Sequence, residues 1–200
     1  MMDIIRGFDI LFALVGSIIL FPFFIVISLL IKLTSKGAVF FRQSRVGKNG
    51  KDFKVYKFRS MYINADKKGL LTVGGNDSRV TKVGYYLRRF KLDELPQLIN
   101  VLKGEMSLVG PRPEVRKYVN LYSNDQQKTL SVLPGITDYA SIEYRNENEL
   151  LAMAENPEEL YIREIMPKKI ELNFKYINDR SVKQYFKIVI KTIITSIKGR

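Results

Sequence analysis

The strongest pattern along the chain is an apolar run near its start. Ile10 to Ile31 reads ILFALVGSIILFPFFIVISLLI, 22 positions without a charge. At a helical rise of about 1.5 Å per residue it covers about 33 Å, one hydrocarbon core. The run is too long for a signal peptide's apolar region, and no small-residue cleavage site follows it. A buried core helix would need more protein around it than the rest of the chain supplies, so a membrane helix is predicted. Pro22, near its middle, removes a backbone hydrogen bond and favours a kink. The pattern leaves two paths open, a straight span or a helix bent at Pro22 that returns to the same face.

Downstream the periodicity shortens. Between Ala38 and Arg59 the stretches AVFFRQ and DFKVYKFR flank GKNGK, where Asn49-Gly50 signals a hairpin turn. Asn64 to Asp77 is rich in Gly and polar groups and reads as a mobile loop. A short helix is predicted over Lys82 to Phe90, capped by Thr81 or Ser78. Leu95, Leu98, Ile99 and Leu102 mark one face of a following helix, with Asp93 at its start, Pro96 in its first turn and Gly104 at its end. Two further helices are expected over Glu114 to Tyr122 and Asp125 to Val132. Val182 to Ile197 sets Phe186, Val189, Ile190 and Ile193 against Lys183, Lys187 and Lys191. That is a basic amphipathic helix, suited to a membrane surface or to packing on the body with its basic face in water. The fold class read from these elements is mainly α with a small β-hairpin, and no internal repeat is visible.

Charge narrows the partners. The chain has 33 Lys and Arg against 20 Asp and Glu, a net +13. This suits nucleic acid, anionic lipid or a polyphosphate substrate. The exception is Ser141 to Glu164, with seven Glu and two Arg. Basic residues crowd the region after the apolar run (Arg42, Arg45, Lys48, Lys51, Lys54, Lys57, Arg59), which places the body on the cytoplasmic side. There is no cysteine and no histidine. Disulfide and thiolate chemistry are excluded, as are the commonest neutral-pH base and zinc ligand. Acid–base and metal chemistry fall to carboxylates, Lys and Tyr, and a metal held with phosphates would be magnesium before zinc.

Asp93-Glu94 is the most informative pair. Adjacent helical residues point about 100° apart, so one acid can attack phosphorus while its neighbour holds a metal or manages a proton. Alone, two acids in a first turn are ordinary capping chemistry. Gly110-Pro111-Arg112-Pro113 changes that balance, because two prolines hold an Arg extended and Arg suits bidentate phosphate recognition. Lys57, Arg59, Arg79, Arg88 and Arg89 add basic groups that would otherwise pass for a solvated face. Two acids and several Arg beside a membrane helix point to metal-assisted phosphoryl chemistry.

Five motifs then stand in order: Lys57-Phe58-Arg59-Ser60-Met61, Asp77-Ser78-Arg79-Val80-Thr81, Leu92-Asp93-Glu94-Leu95-Pro96-Gln97, Gly104 to Pro113, and Pro134-Gly135-Ile136-Thr137. Over nearly its whole length the chain resembles the small form of the monotopic phosphoglycosyl transferases, a family of bacterial sugar transferases. The resemblance implies transfer of a sugar 1-phosphate from a UDP-sugar to polyprenol (undecaprenyl) phosphate with release of UMP, an initiating step of glycoconjugate or exopolysaccharide assembly. It implies Asp93 as the nucleophile of a covalent phosphosugar-aspartyl intermediate, Glu94 as its partner acid, and Mg2+ at both. Lys57, Arg59, Arg79, Arg88, Arg112 and Arg145 are the implied phosphate and substrate contacts. It further implies a re-entrant membrane helix over 1–36, broken at Pro22, and a cytoplasmic catalytic domain over 37–200 with interfacial helices, on the bacterial inner membrane. Two departures stand out: Phe21 replaces the usual Ser before the proline, and Asp138-Tyr139 replaces Gly-Trp. A membrane-anchored but inactive scaffold of the same family is the alternative. A glycosyltransferase releasing UDP is another, and a nucleic-acid binder leaves the apolar run unexplained.

Overall fold

The computed structural model describes residues 2–65 and 77–197. The first helix, α1, runs Met2–Thr34 and is the one described helix long and apolar enough to cross a membrane. One stripe of α1 faces the body: Ile5, Asp9, Ala13, Ile27 and Ile31 are buried, with Leu20 and Phe24 packed beside them. Spacings of three and four keep such residues on one side of a helix. On the other side Ile18, Ile19, Phe21, Phe23, Val26, Leu29 and Leu33 are each more than half exposed.

Both ends of α1 are fastened to the body. Near the start, Asp9 Oδ1 accepts from Ser107 Oγ (3.0 Å), Leu108 N (2.9 Å) and Tyr185 OH (3.0 Å). Past the end, Arg59 Nη2 donates to the Ser35 carbonyl at 2.7 Å and to Ser35 Oγ at 2.9 Å, satisfying groups the last turn leaves open. Pro22 lies inside α1, with helical residues on both sides of it. Proline removes one rung of the ladder there.

Strands β1 (Phe40–Val46) and β2 (Asp52–Phe58) form the expected antiparallel hairpin, with Phe40 opposite Phe58 and Val46 opposite Asp52. Asn49 (φ 56°) and Gly50 (φ 71°) supply the positive φ angles that this turn needs. Helix α2 (Lys82–Arg89) is capped by Thr81, whose Oγ1 accepts from Gly84 N at 2.9 Å. A 3-10 turn, Leu92–Glu94, leads to α3 (Gln97–Lys103), which ends at Gly104. Asn100, fully buried on α3, accepts from Tyr56 N (3.0 Å) and donates to the Lys54 carbonyl (2.8 Å). One amide therefore docks the edge of β2 on the helix that follows the acid pair.

Strand β3 (Ser107–Val109) pairs in parallel with β4 (Gly135–Thr137). Between them lie α4 (Arg116–Val119) and α5 (Asn124–Gln127). After β4 come α6 (Tyr139–Glu143), α7 (Glu147–Ala152), α8 (Pro157–Leu160), α9 (Met166–Asn178) and α10 (Val182–Ile197). The mainly helical class is as read from the sequence.

Several local expectations are corrected. Asp93 lies in the turn before α3 rather than in its first turn, and Pro96 precedes the helix. Leu102 is 37% exposed, while Gln97 and Asn100 are buried, because α3 packs against a strand edge that needs hydrogen bonds as well as apolar cover. The helix expected over 114–122 shrinks to a single turn, while the one expected over 125–132 is present as α5 continued by a 3-10 helix, Lys128–Ser131. Helix α10 has the expected bounds, but Tyr185 and Ile188 face inward while Ile190, Ile193 and Ile194 are exposed. Most of the loop read over 64–77 lies outside the described residues.

Because Asp9 serves three donors, Asp9→Ala is expected to destabilise the protein by about 3 kcal/mol. Asp52→Ala, which removes the exposed pair with Arg116, should cost about 0.5 kcal/mol or less. Thermal unfolding of both variants in one detergent checks the contrast.

Candidate active site

The acid pair is presented by a tight turn. Lys91 has φ 57°, and the chain then winds through Leu92–Glu94 before α3 begins. Leu92 packs near Phe58 and Leu87, so the turn is seated on β2 and α2. Asp93 and Glu94 consequently sit beside Lys57 of β2.

Glu94 is held by two cations. Lys57 Nζ donates to Oε1 at 2.9 Å and Arg112 Nη1 to Oε2 at 2.9 Å, while Arg112 Nη2 also bonds Oε1. The Arg112 fork is bidentate, as planar guanidinium–carboxylate pairing favours. Burial alone would push Glu94 up; Arg112 and Lys57 overcome it and hold the carboxyl well below its ordinary 4.5. Burial pulls Lys57 down, with Glu94 opposing.

Asp93 behaves oppositely. It is 6% exposed, and its carboxylate has no hydrogen bond or ion pair among the described residues. Burial, then the charge of Glu94, raises it above its ordinary 3.8, against the pull of Lys57, Arg88 and Lys91. One acid is saturated and holds its charge to lower pH than an ordinary glutamate. The other is available.

Both acids line a cleft of about 1160 Å³. Part of its wall is aromatic and basic (Phe40, Phe41, Tyr85, Phe90, Arg88, Arg89), and part carries Tyr118, Tyr122, Tyr144 and Tyr161 with Glu147 and Lys169. Lys169 Nζ meets Glu147 Oε2 at 2.7 Å.

Of the residues expected from the sequence, Lys57, Glu94 and Arg112 meet directly, with Asp93 beside them in the cleft. Arg88 lines the cleft within electrostatic reach of Asp93. Arg79 lines it too, but its fork grips Asp77, with Nη2 to Oδ2 at 2.6 Å. Arg145 donates through Nη1 to the Thr195 carbonyl on α10. Arg59 spends Nη2 on the end of α1, while its Nε and Nη1 are buried without a partner.

Other contributors carried no sequence signal strong enough to find them. Lys91 is one. Another is the set behind Arg112: Arg45 Nη1 pairs with Glu114 Oε1 at 3.1 Å, and Tyr161 OH donates to the other oxygen of Glu114. Glu114 directly follows Pro113, which is the one hint the sequence offers.

Comparison with known proteins bears on this site. The family model described as bacterial sugar transferase matches residues 2–199. A UDP-N-acetylgalactosamine-undecaprenyl-phosphate N-acetylgalactosaminephosphotransferase of Aeromonas hydrophila is 40% identical over 197 residues, covering 97% of this chain and 44% of that protein. A UDP-glucose:undecaprenyl-phosphate glucose-1-phosphate transferase of Escherichia coli (strain K12) is 41% identical over 197 residues, 94% of this chain and 39% of that protein. The exopolysaccharide production protein ExoY of Sinorhizobium fredii is 39% identical over 157 residues, 71% of this chain and 70% of that one. The chain thus spans less than half the length of the first two relatives.

The two acids should respond to neutralisation with opposite signs. Glu94→Gln leaves Lys57 and Arg112 unpaired and is expected to cost about 2 kcal/mol, reduced from a fully buried pair because Arg112 is 34% exposed. Asp93→Asn removes a buried, unpartnered charge and is expected to add about 1 kcal/mol at pH 7. A raised folded value means the folded state binds the proton more tightly, so stability falls as pH rises from 3.8 through the folded value. The Asn gain should therefore fade as pH approaches 3.8. Glu94, being depressed, contributes stability above 4.5 that is lost as pH falls through its folded value. Denaturant melts of the three proteins at a series of pH values check both signs.

Proposed function

The chain belongs to the bacterial sugar transferase family, and on that premise we propose that it moves a sugar 1-phosphate from a UDP-sugar to a polyprenol phosphate and releases UMP. The observation that carries the reading is the division between two adjacent acids, Glu94 saturated by Arg112 and Lys57, and Asp93 buried with no bonded partner among the described residues.

In the reaction, an Asp93 oxygen attacks the β-phosphorus of the donor. The new bond is Asp93 O–P, and the bond from that phosphorus to the oxygen of UMP breaks, with UMP taking the electron pair. The lipid phosphate oxygen then attacks the same phosphorus and the Asp93 carboxylate leaves unchanged. Lys57, Arg88 and Lys91 lie close enough to Asp93 to bias its charge, so they offset the negative charge that a diphosphate brings. A carboxylate raised by burial is poorly solvated, which favours attack once it is ionised. Glu94 keeps Lys57 and Arg112 in place, and the aromatic wall with Glu147 and Lys169 is a surface for uridine and sugar.

Magnesium fits this donor set in a limited way. Among the described residues there is no cluster of three metal-binding side chains. Asp93 is the open carboxylate, and Glu94 becomes available only by releasing Lys57 or Arg112, so diphosphate oxygens and water would complete the shell. When bound, the ion would offset phosphate charge.

The membrane arrangement we propose is monotopic. Both ends of α1 hold to one body, the unburied face of α1 is apolar, and that of α10 sets Ile190, Ile193 and Ile194 beside Lys183, Lys187 and Lys191. This supports a helix embedded from one side, with an amphipathic helix at the interface, rather than one crossing to the other. The basic region after α1 supports the cytoplasmic face. The sugar stays open, because relatives named for N-acetylgalactosamine and for glucose are almost equally similar.

Incubation with a panel of UDP-sugars, polyprenol phosphate and magnesium should give lipid-dependent UMP from one donor, with Asp93→Asn reduced at least about 1000-fold. UDP as product, or an active Asp93→Asn, would sink the covalent route. The acid limb of kcat/KM should lie above 3.8, since attack needs ionised Asp93. Topology has its own test, helped by the absence of native cysteine. Gly7→Cys and Lys51→Cys should be shielded from an impermeant thiol reagent in spheroplasts and labelled alike in inverted vesicles; labelling from opposite sides would establish a span.

A further inference from the structure

Arg112 sits on a segment with an unusual shortage of main-chain donors. Between Gly110 and Glu114 the residues are Pro111, Arg112 and Pro113, so the Arg112 N–H is the one backbone donor there. The segment runs beside β4: Gly110 N donates to the Thr137 carbonyl and Gly135 N to the Pro111 carbonyl, each at 3.0 Å. The approach is so close that a Cβ on Gly135 would lie 2.1 Å from Gly110 N. Among the described residues no backbone carbonyl accepts from Arg112 N.

Asp138 takes that place. It is 1% exposed, and its Oδ2 accepts from Arg112 N at 3.0 Å. Its Oδ1 accepts from Ser141 N at 2.5 Å and caps α6. One carboxylate therefore ties the backbone of the residue that grips Glu94 to the helix leading to Tyr144, Arg145, Asn146 and Glu147 in the cleft wall.

We propose that Asp138 is a positioning residue that acts through Arg112, setting the guanidinium relative to Glu94 and to the donor-binding wall. This rests on the functional reading above. Without the bond from Asp138, the arginine's main chain keeps the carbonyl contacts on either side but loses its own anchor. Misplacement of a charge-stabilising group by a fraction of an ångström lowers the rate of the chemical step more than it weakens donor binding.

The alternative is a plain helix cap, and the chemistry of the replacements separates the two. Asn and Ser cap helices about as well as Asp, so Asp138→Asn and Asp138→Ser keep the bond from Ser141. Asn then turns its NH2 toward the Arg112 N–H, and Ser is too short to reach it. Asp138→Ala loses both bonds. Asn and Ser variants are expected to lose about tenfold in kcat, with donor KM changed less than about threefold and Tm within about 3 °C of wild type. The Ala variant should fall further in Tm. In an Arg112→Lys background, Asp138→Asn should lower kcat by less than about threefold, because the group it positions is already compromised.

Full tenfold losses in both backgrounds, rates that follow Tm across the three variants, or Asn and Ser enzymes at the wild-type rate would each overturn the proposal. An inactive wild type on the whole donor panel would remove the functional reading and this inference with it. An active wild type with additive effects removes the role of Asp138 alone.

Discussion

The site depends on how a buried carboxylate at Glu94 is kept charged. Taking such a group out of water raises its cost steeply, and only close cations repay that. Here Arg112 and Lys57 do so, and they arrive from separate parts of the chain: Lys57 on β2 and Arg112 between two prolines. The rest of the body can be understood as what holds those two donors at bonding distance. Asn100 pins β2 to α3, Arg45 and Tyr161 hold Glu114 just after Pro113, and Asp138 holds the arginine's own N–H. Because Glu94 absorbs both cations, Asp93 is left buried and, among the described residues, without a bonded partner. Two adjacent acids are thereby pushed in opposite directions by the same surroundings.

Much of this was legible in the residues, and what was not shares one cause. Signals carried by neighbours in sequence were readable: the apolar run, the Asn49-Gly50 turn, Thr81 as a cap and the bounds of α10. The acids and their cations were also visible as residue types suited to phosphate. Their assignment to jobs was not, because it depends on partners far away in the chain. Arg59 and Arg79 looked like Arg112 in the sequence, yet Arg59 closes the end of α1 and Arg79 holds Asp77. Burial of Asp9, Asn100 and Asp138 left no mark either, since a polar residue in the core is recognisable only by the groups that satisfy it.

Asp138-Tyr139 stands where the family resemblance implies Gly-Trp. In the structure both residues point to support rather than to sugar. Asp138 binds Arg112 N and Ser141 N, and Tyr139 OH donates to Gln184 on α10 at 2.7 Å. A wall that reads the donor is better sought in side chains that line the cleft, such as Tyr144, Asn146 and Glu147. Change at the junction of β4 and α6 can then alter how that wall sits without touching the ligand.

The anchoring of α1 bears on how a lipid and a nucleotide could reach one phosphorus. A helix spanning straight through would carry Asp9 away from the body, with its carboxylate separated from Ser107, Leu108 and Tyr185. Burial of those donors without Asp9 would be costly, so docking and one-sided insertion favour each other. The exposed side of α1 is then free for acyl chains, and Phe40, Phe41, Ile63, Tyr85 and Phe90 continue that apolar character to the cleft. On the function proposed above, a polyprenol tail would remain among lipids while its phosphate enters past Arg88 and Arg89 toward Asp93, and the polar donor would meet the tyrosine-lined wall instead. Two substrates of opposite solubility would then be matched by two kinds of surface, with the acid pair where those surfaces join.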